Sequence, residues 1–185
     1  MRIYGNRLLK TLPGQQTRPT SAKVREALFN IWQSEIEGAR WLDLCAGNGT
    51  IGAEALCRGI RFIVGIEQNR RACQIIQENW RKVATSEQEW QIIKGDVREN
   101  LKELKGNQFD LVYFDPPYTS ELYNPVLTEI SQLELLTPDG EIAVEHDPKQ
   151  WSNQAIENLT IIRQKKYGNT SLTFLARREG NVKSI

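Results

Sequence analysis

From residue 41 onward the apolar positions fall into short β-branched or aromatic runs, separated by stretches in which they recur every three or four residues. The runs predict strands at 41–45, 62–66, 91–94, 111–114, 141–145, 160–166 and 171–176, with helices between most of them. Such alternation predicts an α/β fold with a mostly parallel sheet and crossover helices. The clearest helix spans 69–83, where Ala72, Ile75, Ile76, Asn79 and Trp80 share one stripe and Asn69 suits the N-cap. The last two runs are joined only by Tyr167-Gly168-Asn169-Thr170, too short for a crossover, so they predict an antiparallel hairpin.

Ahead of this unit, residues 1–36 read as an extension: a small strand pair over 2–10, a Pro13-Gly14 turn, and a helix from Ala22 to about residue 35. Ser21 caps that helix, and Val24, Leu28, Ile31 and Trp32 form its apolar stripe. Residues 37–185 form the main domain, and 185 residues suit one structural unit overall, expected to be a monomer. No apolar run approaches the roughly 20 residues of a membrane helix, and no signal-peptide core follows the N-terminus, so a cytoplasmic protein is expected. Three cysteines without a C-x-x-C spacing and a single histidine suggest neither a disulfide framework nor a metal site.

A net charge of +1 conceals an uneven distribution. Residues 1–30 hold six Lys/Arg against Glu26 alone, and residues 160–185 hold six against Glu179 alone, which leaves the middle acidic. Basic ends folded onto one face would hold phosphates. Arg18 and Arg25 are candidates for that role, with pairing to acids on the domain as the alternative.

Four motifs carry chemistry. Leu42-Asp43-Leu44-Cys45-Ala46-Gly47-Asn48-Gly49-Thr50-Ile51-Gly52 is an apolar strand entering a glycine-rich turn and then a helix. Gly47, Gly49 and Gly52 satisfy G-x-G-x-x-G, which fits a dinucleotide, S-adenosylmethionine, or a tight turn without ligand. Asp43 before the turn is typical of the second use, in which Ala46, Gly47 and Gly49 bring backbone against the ligand. Glu67, just past a strand, is placed to accept both hydroxyls of a ribose. Asp96 and Val97 follow the next strand, where Asp96 would take an adenine amino group and Val97 would pack on the ring; a helix N-cap is the alternative for Asp96.

Asp115-Pro116-Pro117-Tyr118, after the strand at 111–114, is the most specific signal. An exocyclic base amine is a poor nucleophile because its lone pair is delocalised into the ring. The Asp115 carboxylate and the Pro116 carbonyl can hydrogen-bond the two amine hydrogens and draw that lone pair out. Pro116 and Pro117 stiffen the backbone, and Tyr118 offers a face on which an extruded base stacks. Glu145-His146 closes a strand near the site, with the histidine read as structural. Trp32, Trp41 and Trp80 are expected in the core, and Trp90 and Trp151 half exposed.

In this order the motifs resemble the class I (Rossmann-like) S-adenosylmethionine-dependent methyltransferase fold, with the D-P-P-Y signature of enzymes acting on base amino groups. Arg18-Pro19-Thr20, then Val24-Arg25-Glu26-Ala27-Leu28-Phe29-Asn30, the opening Arg2-Ile3 and the late Lys166-Tyr167-Gly168 narrow the resemblance to the RsmD family, bacterial 16S ribosomal RNA guanine-N2 methyltransferases. The resemblance implies a seven-stranded sheet of order 3-2-1-4-5-7-6, S-adenosylmethionine as cofactor, and a guanine of 16S RNA, in the 30S subunit or its assembly intermediate, as target. Arg2, Arg7, Arg18, Arg25 and Lys166 are then the RNA contacts. Another RNA, or adenine N6 in DNA, is the alternative substrate, since a similar turn serves those enzymes. The chain departs from the family pattern at Cys45 and Asn48, and its segment between Ile3 and Arg18 is short.

Overall fold

A computed structural model describes residues 1–12, 21–152 and 155–178. The Pro13-Gly14 turn and Arg18 lie outside the described residues. The first elements are two short paired strands, β1 (Arg2–Ile3) and β2 (Arg7–Leu8), followed by helix α1 (Ala22–Ile31). Then come β3 (Arg40–Leu44), α2 (Thr50–Cys57), β4 (Phe62–Glu67), α3 (Arg70–Val83), β5 (Glu89–Lys94), α4 (Val97–Asn100), β6 (Phe109–Phe114), α5 (Tyr123–Gln132) and β7 (Leu136–His146). A hairpin of β8 (Leu159–Tyr167) and β9 (Thr170–Arg177) closes the described chain. Among the described residues no helix is long and apolar enough to cross a membrane.

The seven main strands form one sheet in the order β5-β4-β3-β6-β7-β9-β8, the order that the family resemblance implies. The first five pair in parallel, whereas β9 runs antiparallel to both β7 and β8. Alternation along each strand feeds two cores. Trp41, Ile63, Leu111, Tyr113, Ala143 and Phe174 face α1, α2 and α3. Leu42, Leu44, Val64, Ile66, Val112, Phe114 and Val144 face α4 and α5. Ile3 and Leu9 join the first of these cores, which ties the start of the chain to the main sheet.

Several boundaries differ from expectation for local reasons. Helix α1 stops at Ile31 rather than near residue 35. Trp32 turns inward there, edge-on to Trp41 at 5.2 Å and to Phe174 at 5.7 Å, and its indole N–H donates to Glu141 at 2.8 Å. Cys45 leaves the strand because its φ is +61°, and Glu67 is the last residue of β4 rather than the residue after it. Trp151 is buried at 6% exposure, stacked on Tyr123 at 5.0 Å, and its N–H donates to Asn124. Trp90 is half-buried, as expected.

Candidate active site

Strand order reverses between β3 and β6, the place where parallel sheets open a crevice at the C-terminal ends of their strands. A cleft of about 560 Å³ lies there. Asp43, Ala46, Gly47, Glu67, Asp96, Val97, Asp115, Pro116, Pro117 and Tyr118 all line it, so ten of the eleven residues proposed for cofactor and catalysis meet in one cavity. Sheet order makes this possible, because these residues lie at or just past the C-terminal ends of four strands that run side by side.

Gly49 stands behind the turn instead. Its φ is +65°, its N–H donates to the Ala46 carbonyl at 2.7 Å, and its carbonyl accepts from the Trp80 indole at 2.9 Å. A Cβ on Gly49 would lie 2.8 Å from Trp80 Nε1, and one on Gly52 would lie 2.5 Å from Trp80 Cζ2. The second and third glycines of the motif therefore make room for a buried tryptophan of α3. Gly47, at φ +56°, is the glycine of the three that lines the cleft.

The acidic residues hold the turn in shape. Asp43 accepts from the Gly52 N–H at 3.2 Å; burial pushes its carboxyl up to about 7, against that hydrogen bond and with help from the Glu67 charge. Glu67 accepts from the Gly47 N–H and the Asn69 N–H, both at 2.8 Å, one on each oxygen, which fixes its orientation toward the cleft. Asp96 caps α4: it accepts from the Arg98 N–H at 2.9 Å and pairs with the Arg98 guanidinium at 3.1 Å. Those bonds hold its carboxyl below the usual range. The capping alternative for Asp96 is thus realised at a residue that also lines the cleft. Burial pushes the Cys45 thiol up, so it stays a thiol.

Around the D-P-P-Y turn, Asp115 is tied by its N–H to the Leu44 carbonyl of β3 at 3.3 Å, and Pro116 is buried. The Tyr118 hydroxyl donates to Glu145 at 2.9 Å and lies 3.0 Å from the Thr170 hydroxyl; the Tyr113 hydroxyl donates to the other Glu145 oxygen at 2.5 Å. Glu145 is buried and lines the cleft, a role that the sequence pattern, which marks it only as a strand end, does not reveal. The one available signal was its position at the C-terminal end of a strand. His146 is structural: buried, with Nε2 2.9 Å from the Thr173 hydroxyl, and its pKa lowered by that burial.

Asn79, which the periodicity of α3 places on the apolar stripe, is a buried bridge. Its amide donates to the carbonyls of Lys10 and Asn48, both at 3.0 Å, and accepts from the Lys10 N–H at 2.9 Å. The Asn48 side chain accepts from the Leu12 N–H at 3.2 Å, so the N-terminal segment is fastened to the glycine turn.

Of the expected RNA contacts, Arg25 is corrected. Its guanidinium pairs with the buried Glu54 at 2.7 Å and donates to the Arg2 carbonyl at 3.0 Å, with only 11% of the side chain exposed. Pairing with an acid on the domain, the alternative reading, is what the fold adopts. Arg2 and Arg7 are exposed, the first bonded to Asn6 and the second to Cys57 Sγ at 2.7 Å, and Lys166 is exposed on the edge strand β8. Among the described residues no cluster of His, Cys, Asp and Glu could hold a metal ion.

Residues 1–176 match the family described as Conserved hypothetical protein 95. The Bacillus subtilis protein YlbH is 31% identical over 93% of this chain and 94% of its own. The Haemophilus influenzae ribosomal RNA small subunit methyltransferase D is 28% identical over 91% of this chain and 88% of its own. Among solved structures, yhhF from Escherichia coli superposes with a TM-score of 0.82 at 27% identity, over 96% of this chain and 98% of that one. With this fold, this order of motifs and a match spanning nearly its whole length, the chain belongs to the RsmD family of methyltransferases.

Proposed function

We propose that the chain transfers a methyl group from S-adenosylmethionine to the exocyclic N2 amine of a guanine in 16S ribosomal RNA, within the small subunit or its assembly intermediate, acting as a cytoplasmic monomer. The observation that carries this reading is that the D-P-P-Y turn opens into the same cleft as the glycine turn and Glu67. Relatives named as ribosomal RNA small subunit methyltransferases support the choice of RNA.

The cleft fits the cofactor. It has room for a nucleoside joined to an amino acid, and Glu67, Asp96, Asp115 and Glu145 make its lining acidic, which suits a cation. Gly47 would face the methionine part, Glu67 the ribose hydroxyls, and Val97, with the rim at Asp96, the adenine. When bound, S-adenosylmethionine supplies a methyl group already activated on a sulfonium.

The protein's own work is then orientation and electrostatics. Tyr118 stacks on the extruded guanine, its ring held by the hydroxyl bonds to Glu145 and Thr170. Asp115 and the Pro116 carbonyl accept the two N2 hydrogens and localise the nitrogen lone pair. As the new N–C bond forms, Asp115 stabilises the positive charge growing on that nitrogen and is placed to take the departing proton. Removing one such preorganised group costs about 100- to 1000-fold in kcat. Asp115→Ala should therefore all but abolish transfer, by that factor or more, while cofactor affinity stays nearly intact; a large loss of cofactor binding would contradict the role.

The test is transfer of labelled methyl from S-adenosylmethionine to small subunits lacking their native methylations, with naked 16S RNA, transfer RNA and duplex DNA in parallel, followed by nucleoside analysis. N2-methylguanosine in ribosomal RNA is the expected product. Label in DNA adenine, or in another RNA, would overturn the substrate assignment.

A further inference from the structure

A second concavity, of about 310 Å³, lies between α3 and the outer strand β5. Two periodicities build it. Arg70, Gln74 and Gln77 project from one side of α3 at intervals of three and four, and Trp90 and Lys94 lie on the α3 face of β5 in even register. This stripe of α3 is distinct from the buried one through Ala72, Ile76, Asn79 and Trp80.

Trp90 is half-buried against the fully buried Trp80, with ring centroids 6.3 Å apart at 83°. That edge contact fixes the plane of the outer ring. Among the described residues neither Arg70 nor Lys94 has a carboxylate within ion-pair distance, and no acidic residue lines the groove. A rigid aromatic face flanked by two cations and two amides is the chemistry of a nucleotide site, where a base stacks and the phosphates on its two sides are neutralised.

The main cleft does not supply such a site. Its lining, with the carboxylates of Glu67, Asp96, Asp115 and Glu145, can admit a neutral base but repels the phosphates from which that base hangs. The groove begins where the cleft ends, since Asn69 and Gly95 line the cleft and their chain neighbours Arg70 and Lys94 line the groove. From β6, which Asp115 directly follows, to β5 is three strand spacings, or about 14 Å. That is a distance a short stretch of single strand can bridge.

We infer that the groove of Trp90, Arg70 and Lys94 binds a nucleotide of the RNA substrate on one flank of the target base. This rests on the RNA reading above. The test uses the full chain and whichever of the small subunit or naked 16S RNA the wild type methylates. Arg70→Gln/Lys94→Gln and Trp90→Leu are compared with wild type for RNA affinity across a salt series, for kcat and KM, and for S-adenosylmethionine affinity. The double variant should lower the slope of log affinity against log salt by about 1.4, for two phosphates on a single strand. Trp90→Leu should weaken RNA binding on the order of 5- to 150-fold by loss of one stacked base. In both, KM for RNA rises while kcat and cofactor affinity hold.

RNA affinity and salt slope unchanged in the double variant, with wild type still methylating RNA, would overturn the groove and leave the proposed function standing. Loss of cofactor affinity in step with RNA affinity would overturn it as well, by making the groove a wall of the cofactor cleft. A wild type that sediments as a dimer, with both variants monomeric, would show a self-association face instead. Failure of wild type to methylate any RNA defeats the function itself, and is read before any variant is made.

Discussion

Gly52→Ala tests the packing that shapes the candidate site. The added Cβ would lie 2.5 Å from Trp80 Cζ2 and 2.6 Å from Ile63 Cδ1. Neither neighbour can yield easily: Trp80 and Ile63 are both fully buried, and a Cβ on Gly65 would also meet the indole, at 2.6 Å. On an open helix, Gly to Ala stabilises by about 1 kcal/mol. Overpacking a closed core costs typically about 1–3 kcal/mol and occasionally more. Overlap with two rigid groups at once belongs at the upper end, so a net loss on the order of 2 kcal/mol is expected. Relief by lifting α2 off the sheet would lengthen the 3.2 Å bond from the Gly52 N–H to Asp43 and loosen the glycine turn. The assay is urea unfolding followed by circular dichroism, alongside cofactor affinity by calorimetry. Trp80→Phe, which shortens the offending ring, should be destabilising alone but should recover part of the Gly52→Ala loss, with a coupling of about 1–2 kcal/mol. A Gly52→Ala protein as stable as wild type, or additive double-variant energies, would refute the claim that this glycine exists to admit Trp80.

Asp43, with its carboxyl pushed up to about 7 from 3.8, keeps a proton in the folded state that the unfolded chain releases. This group therefore lowers stability as pH rises from about 4 to about 7; Asp43→Asn should remove that slope and make the ligand-free protein more stable than wild type at pH 8, by up to a few kcal/mol in order of magnitude, as read from unfolding midpoints. A variant less stable than wild type at pH 8 would count against it. Asn79→Leu leaves the Lys10 N–H and the Lys10 and Asn48 carbonyls without their partner; a loss of roughly 2 kcal/mol or more and faster hydrogen exchange at the Lys10 amide are expected, and unchanged exchange there would rule out the bridge. Tyr118→Phe keeps the stacking face but loses the bonds to Glu145 and Thr170, so it should retain far more methyl transfer than Tyr118→Ala; equal losses would remove stacking from the mechanism.

Chain-local signals were legible in the sequence. Every expected strand has a counterpart, because alternation of period two and helical stripes are properties of neighbouring residues. The β8–β9 hairpin followed from a connection of two unpaired residues, with Tyr167 opposite Thr170. Asn69 and Ser21 act as the caps they resembled, accepting from N–H groups two or three residues on. The D-P-P-Y turn was readable because its chemistry sits in four consecutive residues.

What depends on partners far along the chain was decided by tertiary structure. Gly49 and Gly52 look like ligand-facing glycines until α3 lays Trp80 across them. Arg25 looks like a phosphate contact until α2 presents Glu54, 29 positions away, at 2.7 Å in a place with little water. Asn79 is polar on an apolar stripe, and only docking of the N-terminal segment supplies its partners. Glu145 gains its tyrosines because β6 and β7 run side by side, which brings residues 113 and 118 to its carboxylate. A sequence thus determines torsional preference and the face each residue presents, since those arise within a few bonds. Which buried polar group meets which is set by the order of strands and the angle at which helices cross them, and only the folded chain holds that information.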